Sequence, residues 1–197
     1  PSARRYKIEP DMSSCFAVAA AAAVNGSCFI TDFPAESLQP DHCFIQILQE
    51  MQVPVRLEKH ALHVEQCSKL QPIEWSLRSY PDLFPVLAAL CARAEGVSVL
   101  KAPHLEFKES ARRSKMAELL SMVGIKCSTQ EDSLVIQGAP NATPKTPAHF
   151  DVDQDHRLAM AAGILNLAGF SVQLSDTKVV NKSFPEFWEI VQLSSGL

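Results

Sequence analysis

Residues 11–26 read DMSSCFAVAAAAAVNG: an aspartate, two serines, an almost unbroken apolar run, and a closing Asn-Gly. The run falls well short of the roughly 20 apolar residues that a membrane span requires. It is bracketed instead by residues that begin and end soluble helices. A helix apolar nearly all round has no face for water and belongs inside a protein. The pattern recurs in residues 82–96 (DLFPVLAALCARAEG) and residues 155–169 (DHRLAMAAGILNLAG). Asp11, Asp82 and Asp155 therefore open three buried helices at near-equal intervals, and Gly26, Gly96 and Gly169 close them. Each aspartate is placed to cap the orphan N–H groups of its helix. Each glycine is placed to supply the left-handed residue that stops it.

Working outward, each glycine is followed by a short β-like run, at 27–30, 97–100 and 170–174. Amphipathic helices follow at 43–51, 112–123 and 185–191. Two of the copies end in paired strands, 55–58 with 62–64 and 126–128 with 134–136. The repeating unit is thus βαβαββ, over approximately 6–72, 73–147 and 148–197, the third copy lacking its closing hairpin. The expected fold is mixed α/β, one domain over 1–197, with buried parallel helices and the sheets outside them. Residues 138–147 (GAPNATPKTP) read as a surface loop between the second and third copies.

Composition narrows the function. With 47% hydrophobic residues in a 197-residue chain, a substantial core is available without staples. A net charge of −4 argues against a general binder of nucleic acids or anionic membranes. Aromatics at 7% leave little for a base-stacking platform. Against this acidic background Lys108, Arg112, Arg113 and Lys115 cluster, which suggests a small anionic ligand. The arginines also open a helix, where positive charge opposes the dipole, and a ligand role for at least one offsets that cost. Six cysteines, at 15, 28, 43, 67, 91 and 127, form no C-x-x-C pair and mostly sit beside apolar residues. They read as small hydrophobes of a reduced, cytoplasmic protein, with neither a disulfide frame nor a metal site.

Four segments carry a more specific signal: Pro81-Asp82, Lys108-Glu109-Ser110 with Arg112, Asp155-His156-Arg157 with Ala159-Met160, and Lys182-Ser183-Phe184-Pro185. In order and spacing they resemble the motifs of the 5-enolpyruvylshikimate-3-phosphate synthases, and Asp11 with Ser13-Ser14 resembles that family's entry to its C-terminal domain. The resemblance covers essentially the whole chain but about half of a family member. It implies an enolpyruvyl-transferase-like inside-out fold whose active site lies in a cleft between two halves. This chain would be the C-terminal half, with an N-terminal half as its partner.

The implied reaction moves the enolpyruvyl group of phosphoenolpyruvate to the 5-hydroxyl of shikimate 3-phosphate, with no cofactor. By resemblance, Arg112, Arg157 and Lys182 hold phosphoenolpyruvate. Glu109 is the matched acid, Asp82 the group on the substrate hydroxyls and candidate base, and Lys108 a further contact to the same region. Fixed cations suit a ligand carrying a carboxylate and a phosphate, and an acid beside an acceptor suits addition across an enol ether. The chain departs from the motifs at Ala111, where the family has aspartate. Glu106 stands where the family often has arginine, and His104 where some members have asparagine. Alone, the chain is expected to be inactive; the alternative is a noncatalytic binding domain of the same fold.

Overall fold

The computed structural model describes residues 8–103, 105, 110–142 and 146–194. Its elements follow the expected βαβαββ order in the second copy, whereas in the first no strand precedes α1 among the described residues. The first copy holds α1 (Met12–Val24), β1 (Ser27–Thr31), α2 (Phe44–Glu50), β2 (Val55–Glu58) and β3 (Ala61–Glu65). The second holds β4 (Glu74–Ser76), α3 (Phe84–Cys91), β5 (Val97–Lys101), α4 (Arg112–Met122), β6 (Lys126–Gln130) and β7 (Ser133–Gln137). The third holds β8 (Ala148–Phe150), α5 (His156–Leu167), β9 (Val172–Leu174) and α6 (Phe187–Ser194).

The sheets show how each copy is wound. In the second, the order is β4-β5-β7-β6, with β4 parallel to β5 across the α3 crossover and the other pairs antiparallel. The first copy forms β1-β3-β2, all antiparallel, and the third pairs β8 parallel to β9. Alternation on β7, where Leu134 and Ile136 are buried and Val135 is not, puts one sheet face on the core.

Helices α1, α3 and α5 form the interior. All eight residues of α3 are buried, and α1 and α5 are buried along most of their length. Alanine dominates α1, so helices packing against it approach closely. Their C-terminal ends meet around one cavity of about 240 Å³, lined by Val24, Cys67, Leu70, Arg93, Leu167 and Ala168. Their N-terminal ends meet at the opposite side, α3 and α5 through the ion pairs described below and α1 with Asp11 near Arg157, so the three helices run parallel.

Two of the three expected caps form. Asp11 accepts from the backbone N–H groups of Ser13 and Ser14, and Asp155 accepts from that of Arg157. Asp82 does not cap α3. Pro81–Leu83 is a 3-10 turn, α3 starts only at Phe84, and the carboxylate of Asp82 points to two arginines instead. The closing glycines all have positive φ, with Gly169 (φ 88) nearest the left-handed helical cap. A Cβ there would also lie 2.9 Å from the Arg93 guanidinium. All six cysteines are free; burial pushes the thiols of Cys15 and Cys91 up to about 12, as befits core residues. Among the described residues no helix is long and apolar enough to cross a membrane.

Candidate active site

Repeat architecture carries three aspartate-led helix starts to one face, where two arginines bridge Asp82 and Asp155 and the Arg157 charge also acts on Asp11. Arg112, the first residue of α4, sends its guanidinium inward. Nε donates to Asp155 Oδ2 at 2.7 Å and Nη1 donates to Asp82 Oδ1 at 2.7 Å. The side chains of Arg112 and Asp155 are both 0% exposed. Ser110 Oγ adds a bond to Asp155 Oδ2 at 3.0 Å. Arg157, in the first turn of α5, donates through Nη2 to Asp82 Oδ2 at 3.0 Å. Asp82 thus has one oxygen on each arginine while about a third of its side chain remains exposed.

Buried charges persist only when paired. Burial pushes the Asp155 carboxyl up, but the hydrogen bond and charge of Arg112, the Arg157 N–H and Ser110 outweigh it and hold the carboxyl below its ordinary range. Arg112 is correspondingly held above its ordinary value: burial works against the charge, and Asp155 and then Asp82 overcome it. Burial, reinforced by the Arg157 charge, lowers His156 and favours its neutral form.

Lys182, the exposed last residue of a 3-10 turn, donates through Nζ to the Gln154 carbonyl at 3.2 Å. That carbonyl belongs to a tight turn in which Asp155 N–H bonds Val152 O at 2.8 Å. Asp153 (φ 48) and Gln154 (φ 54), the turn's central residues, are both left-handed. Such a pair marks a type I′ turn and ordinarily calls for Asn-Gly. Gln154 is therefore strained at the point where the chain enters the site, and side-chain bonds from Asp153 N and Ser175 Oγ to Asp151 Oδ1 brace it.

The site residues expected from sequence are thus partly assembled. Asp82, Arg112 and Arg157 are in direct contact, and Lys182 is anchored to the turn that leads into Asp155. Arg112 differs from expectation: read as a cation open to ligand, it is wholly buried, because Asp82 of its own copy and Asp155 of the third draw it inward. The expected basic cluster also disperses, since Lys115 lies over the Phe150 ring at 5.2 Å and pairs with Glu118. Lys108 and Glu109, with His104 and Glu106, lie outside the described residues. Ala111 precedes α4 without a side-chain cap.

Two residues that the sequence reading passed over also matter here. Asp41 sits in the 3-10 turn Pro40–Cys43, near Asp82, Arg157 and Asp11. Arg93 organises the opposite end of the helices. The partners of both lie far along the chain, and no local pattern announces them.

A sequence model of the EPSP synthase (3-phosphoshikimate 1-carboxyvinyltransferase) family matches residues 1–191. The chain belongs to the EPSP synthase family. Among its relatives, the 3-phosphoshikimate 1-carboxyvinyltransferase of Syntrophobacter fumaroxidans is 37% identical over 187 residues, covering 94% of this chain and 44% of that protein. The enzyme of that name from Thermococcus kodakarensis is 36% identical, covering 94% and 45%. In solved structures, EPSP synthase from Acinetobacter baumannii superposes with a TM-score of 0.80 at 26% identity, covering 95% of this chain and 46% of that one. The enolpyruvyl transferase NikO from Streptomyces tendae, at a TM-score of 0.70 and 21% identity, shares the fold. The chain therefore has the mixed α/β fold of EPSP synthases, and it spans about half the length of the curated relatives it matches.

Proposed function

We propose that this chain is the C-terminal half of a 3-phosphoshikimate 1-carboxyvinyltransferase, one domain of three repeats, working in the cytoplasm. The face built by Asp82, Arg157 and Lys182 is one wall of its substrate cleft. The observation that carries the reading is the convergence of three helix N-termini with two arginines and a lysine on one face. Helix N-termini offer partial positive charge and free N–H donors to anions. The expected ligands are phosphoenolpyruvate and shikimate 3-phosphate, both multiply anionic.

In this reading Arg157 and Lys182 face phosphoenolpyruvate, and Arg112 serves from inside by fixing Asp82 and Asp155. Asp82, oriented by two guanidinium groups and still partly exposed, accepts the hydrogen bond of the substrate hydroxyl that attacks. Glu109 delivers the proton to the phosphoenolpyruvate methylene, and Lys108 contacts the same hydroxyl region. Addition, with the hydroxyl proton passing to Asp82, leaves a tetrahedral adduct bearing a methyl group; loss of phosphate, with a methyl proton returning to Glu109, restores the enol double bond and completes the transfer. An N-terminal half supplies the opposite wall, so the isolated chain lacks turnover.

The test mixes this chain with the N-terminal half of the Syntrophobacter relative. Phosphate release from phosphoenolpyruvate and shikimate 3-phosphate is then measured. Turnover is expected in the mixture alone, falling by about 10²–10⁴-fold in Glu109→Ala or Asp82→Ala, the usual weight of a general acid or base. A mixture that binds both substrates without turnover returns the chain to a binding role. Turnover by the chain alone contradicts the two-wall reading.

A further inference from the structure

The carboxylates at the helix N-termini outnumber the guanidinium groups that meet them, and all but one are accounted for. Asp11 is held by Ser13 and Ser14, Asp155 by Arg112, Ser110 and the Arg157 N–H, and Asp82 by both arginines. Asp41 is the exception. Its Oδ1 is buried and, among the described residues, has no hydrogen-bond partner. Two neighbouring groups share that condition, Arg157 Nε and the Nδ1 of the buried His156.

Dedicated structure puts Asp41 there. Gln39 reaches over the start of α1, accepting from the Met12 N–H at 3.0 Å through Oε1 and donating to Pro10 O at 2.9 Å through Nε2. Ser37 Oγ accepts from the Gln39 N–H at 3.0 Å and donates to Glu9, closing the strap. Asp41 follows in the 3-10 turn Pro40–Cys43, where Asp82, Arg157 and Asp11 are near enough to act on its charge. The Met12 N–H is one of the orphan donors of α1, so the same bonds complete a helix cap and deliver a carboxyl.

We propose that Asp41 is a positioning residue, acting through Arg157 and Asp82 to decide how much of the Arg157 charge an incoming anion meets. A neutral Asp41 leaves the guanidinium to Asp82 and the ligand. An ionised Asp41 competes for it and adds a repelling charge. The groups facing it are Asp82 from the turn before α3, Asp11 from α1 and Arg157 from α5, with Cys43 on its own turn. Burial first, then Asp82 and Asp11, raises the Asp41 carboxyl above its ordinary range, with Arg157 opposing. Asp41 therefore keeps its proton to higher pH than a free carboxyl.

The inference rests on reading this face as an anion wall, and sulfate is the probe because its charge is constant through the range of interest. Sulfate is titrated into the 197-residue chain at a series of pH values. Arg157 side-chain N–H shifts report binding, and carboxyl carbon shifts follow Asp41. Sulfate affinity is expected to fall by about threefold to tenfold as Asp41 ionises, the size expected of one added charge at a wet site. In Asp41→Asn, with Asp41→Ser as a second neutral variant, affinity stays at the low-pH level throughout. In the assembled enzyme Asp41→Asn should change the pH profile of the phosphoenolpyruvate KM while kcat holds, a split that a merely structural residue would not give. A pH response that persists in both variants, or an Asp41 carboxyl titrating in the ordinary range, overturns the inference while leaving the wall intact. A chain that binds no sulfate at any pH overturns the wall and the inference together.

Discussion

The two ends of the α1-α3-α5 bundle are built from the same ingredients with opposite outcomes. At the C-terminal end Arg93 meets the negative end of the α5 dipole. Its guanidinium donates to the carbonyl of Ala168, which ends α5, and to those of Pro140 at 2.6 Å and Ala142 at 3.1 Å. The same group lies 4.5 Å from the Phe170 ring centroid. Donors and acceptors are matched, and the loop after β7 is pinned by the match. At the N-terminal end four aspartates, two arginines and a lysine gather, a left-handed turn is held under strain, and buried polar atoms of Asp41, His156 and Arg157 have no hydrogen-bond partner among the described residues. One end is satisfied by the chain itself. The other holds buried polar atoms that the described residues leave unpaired, a pattern that the polar groups of a ligand would complete.

If that contrast is right, variants at the two ends should separate stability from binding. Arg112→Met leaves Asp155 buried and unpaired, and such breaks cost about 3–5 kcal/mol. Chemical denaturation should register that loss, together with a changed acid response. In the wild type Asp155 sits below its unfolded value of 3.8, so its contribution is full above that pH and fades as pH falls through the depressed value. Without Arg112 that acid limb should shrink. Arg93→Met removes several partly exposed charge-assisted bonds and should cost less, about 1–3 kcal/mol, with sulfate binding unchanged. Equal losses of sulfate binding from Arg93→Met and Arg157→Ala would erase the distinction between the ends.

A smaller effect probes the strain. Gln154→Gly keeps the carbonyl that holds Lys182 while removing the side chain that resists a left-handed φ. The variant should be more stable by about 0.4–1 kcal/mol, as expected when glycine meets a positive φ without lost contacts. A thermal melt showing destabilisation would place the side chain of Gln154, not the strain, at the centre of that turn.

The bundle itself was legible because its signals are local. Aspartate, apolar run and glycine lie within one segment, and three copies at near-equal spacing make the pattern hard to mistake. The motifs around Asp82, Arg112, Arg157 and Lys182 are local in the same way, and the fold brings the first three into contact, with Lys182 anchored to the turn before Asp155. What sequence could not convey was direction. Asp82 occupies the same place in its segment as Asp11 and Asp155, yet Pro81 and Pro85 shift the helix start to Phe84 and free the carboxylate for two arginines. Arg112 was expected to hold phosphoenolpyruvate, and its burial follows only from Asp155, supplied by the third copy and buried beside it. Arg93 and Asp41 escaped notice because Ala168, Asp82 and Arg157 are distant in sequence and close only once the three copies close round one core.

The central claim is that the N-terminal end of the bundle is the anion wall of the cleft, and a phosphoenolpyruvate titration of the 197-residue chain addresses it most directly. With the other wall absent the site stays wet, so binding should be weak, with a dissociation constant on the order of millimolar, about −4 kcal/mol. Backbone amide shifts should cluster at 110–112, 155–157 and 182, and shrink both with added salt and in Arg157→Ala. Shifts that gather around Arg93 and residues 138–142, or that ignore Arg157, would contradict the claim.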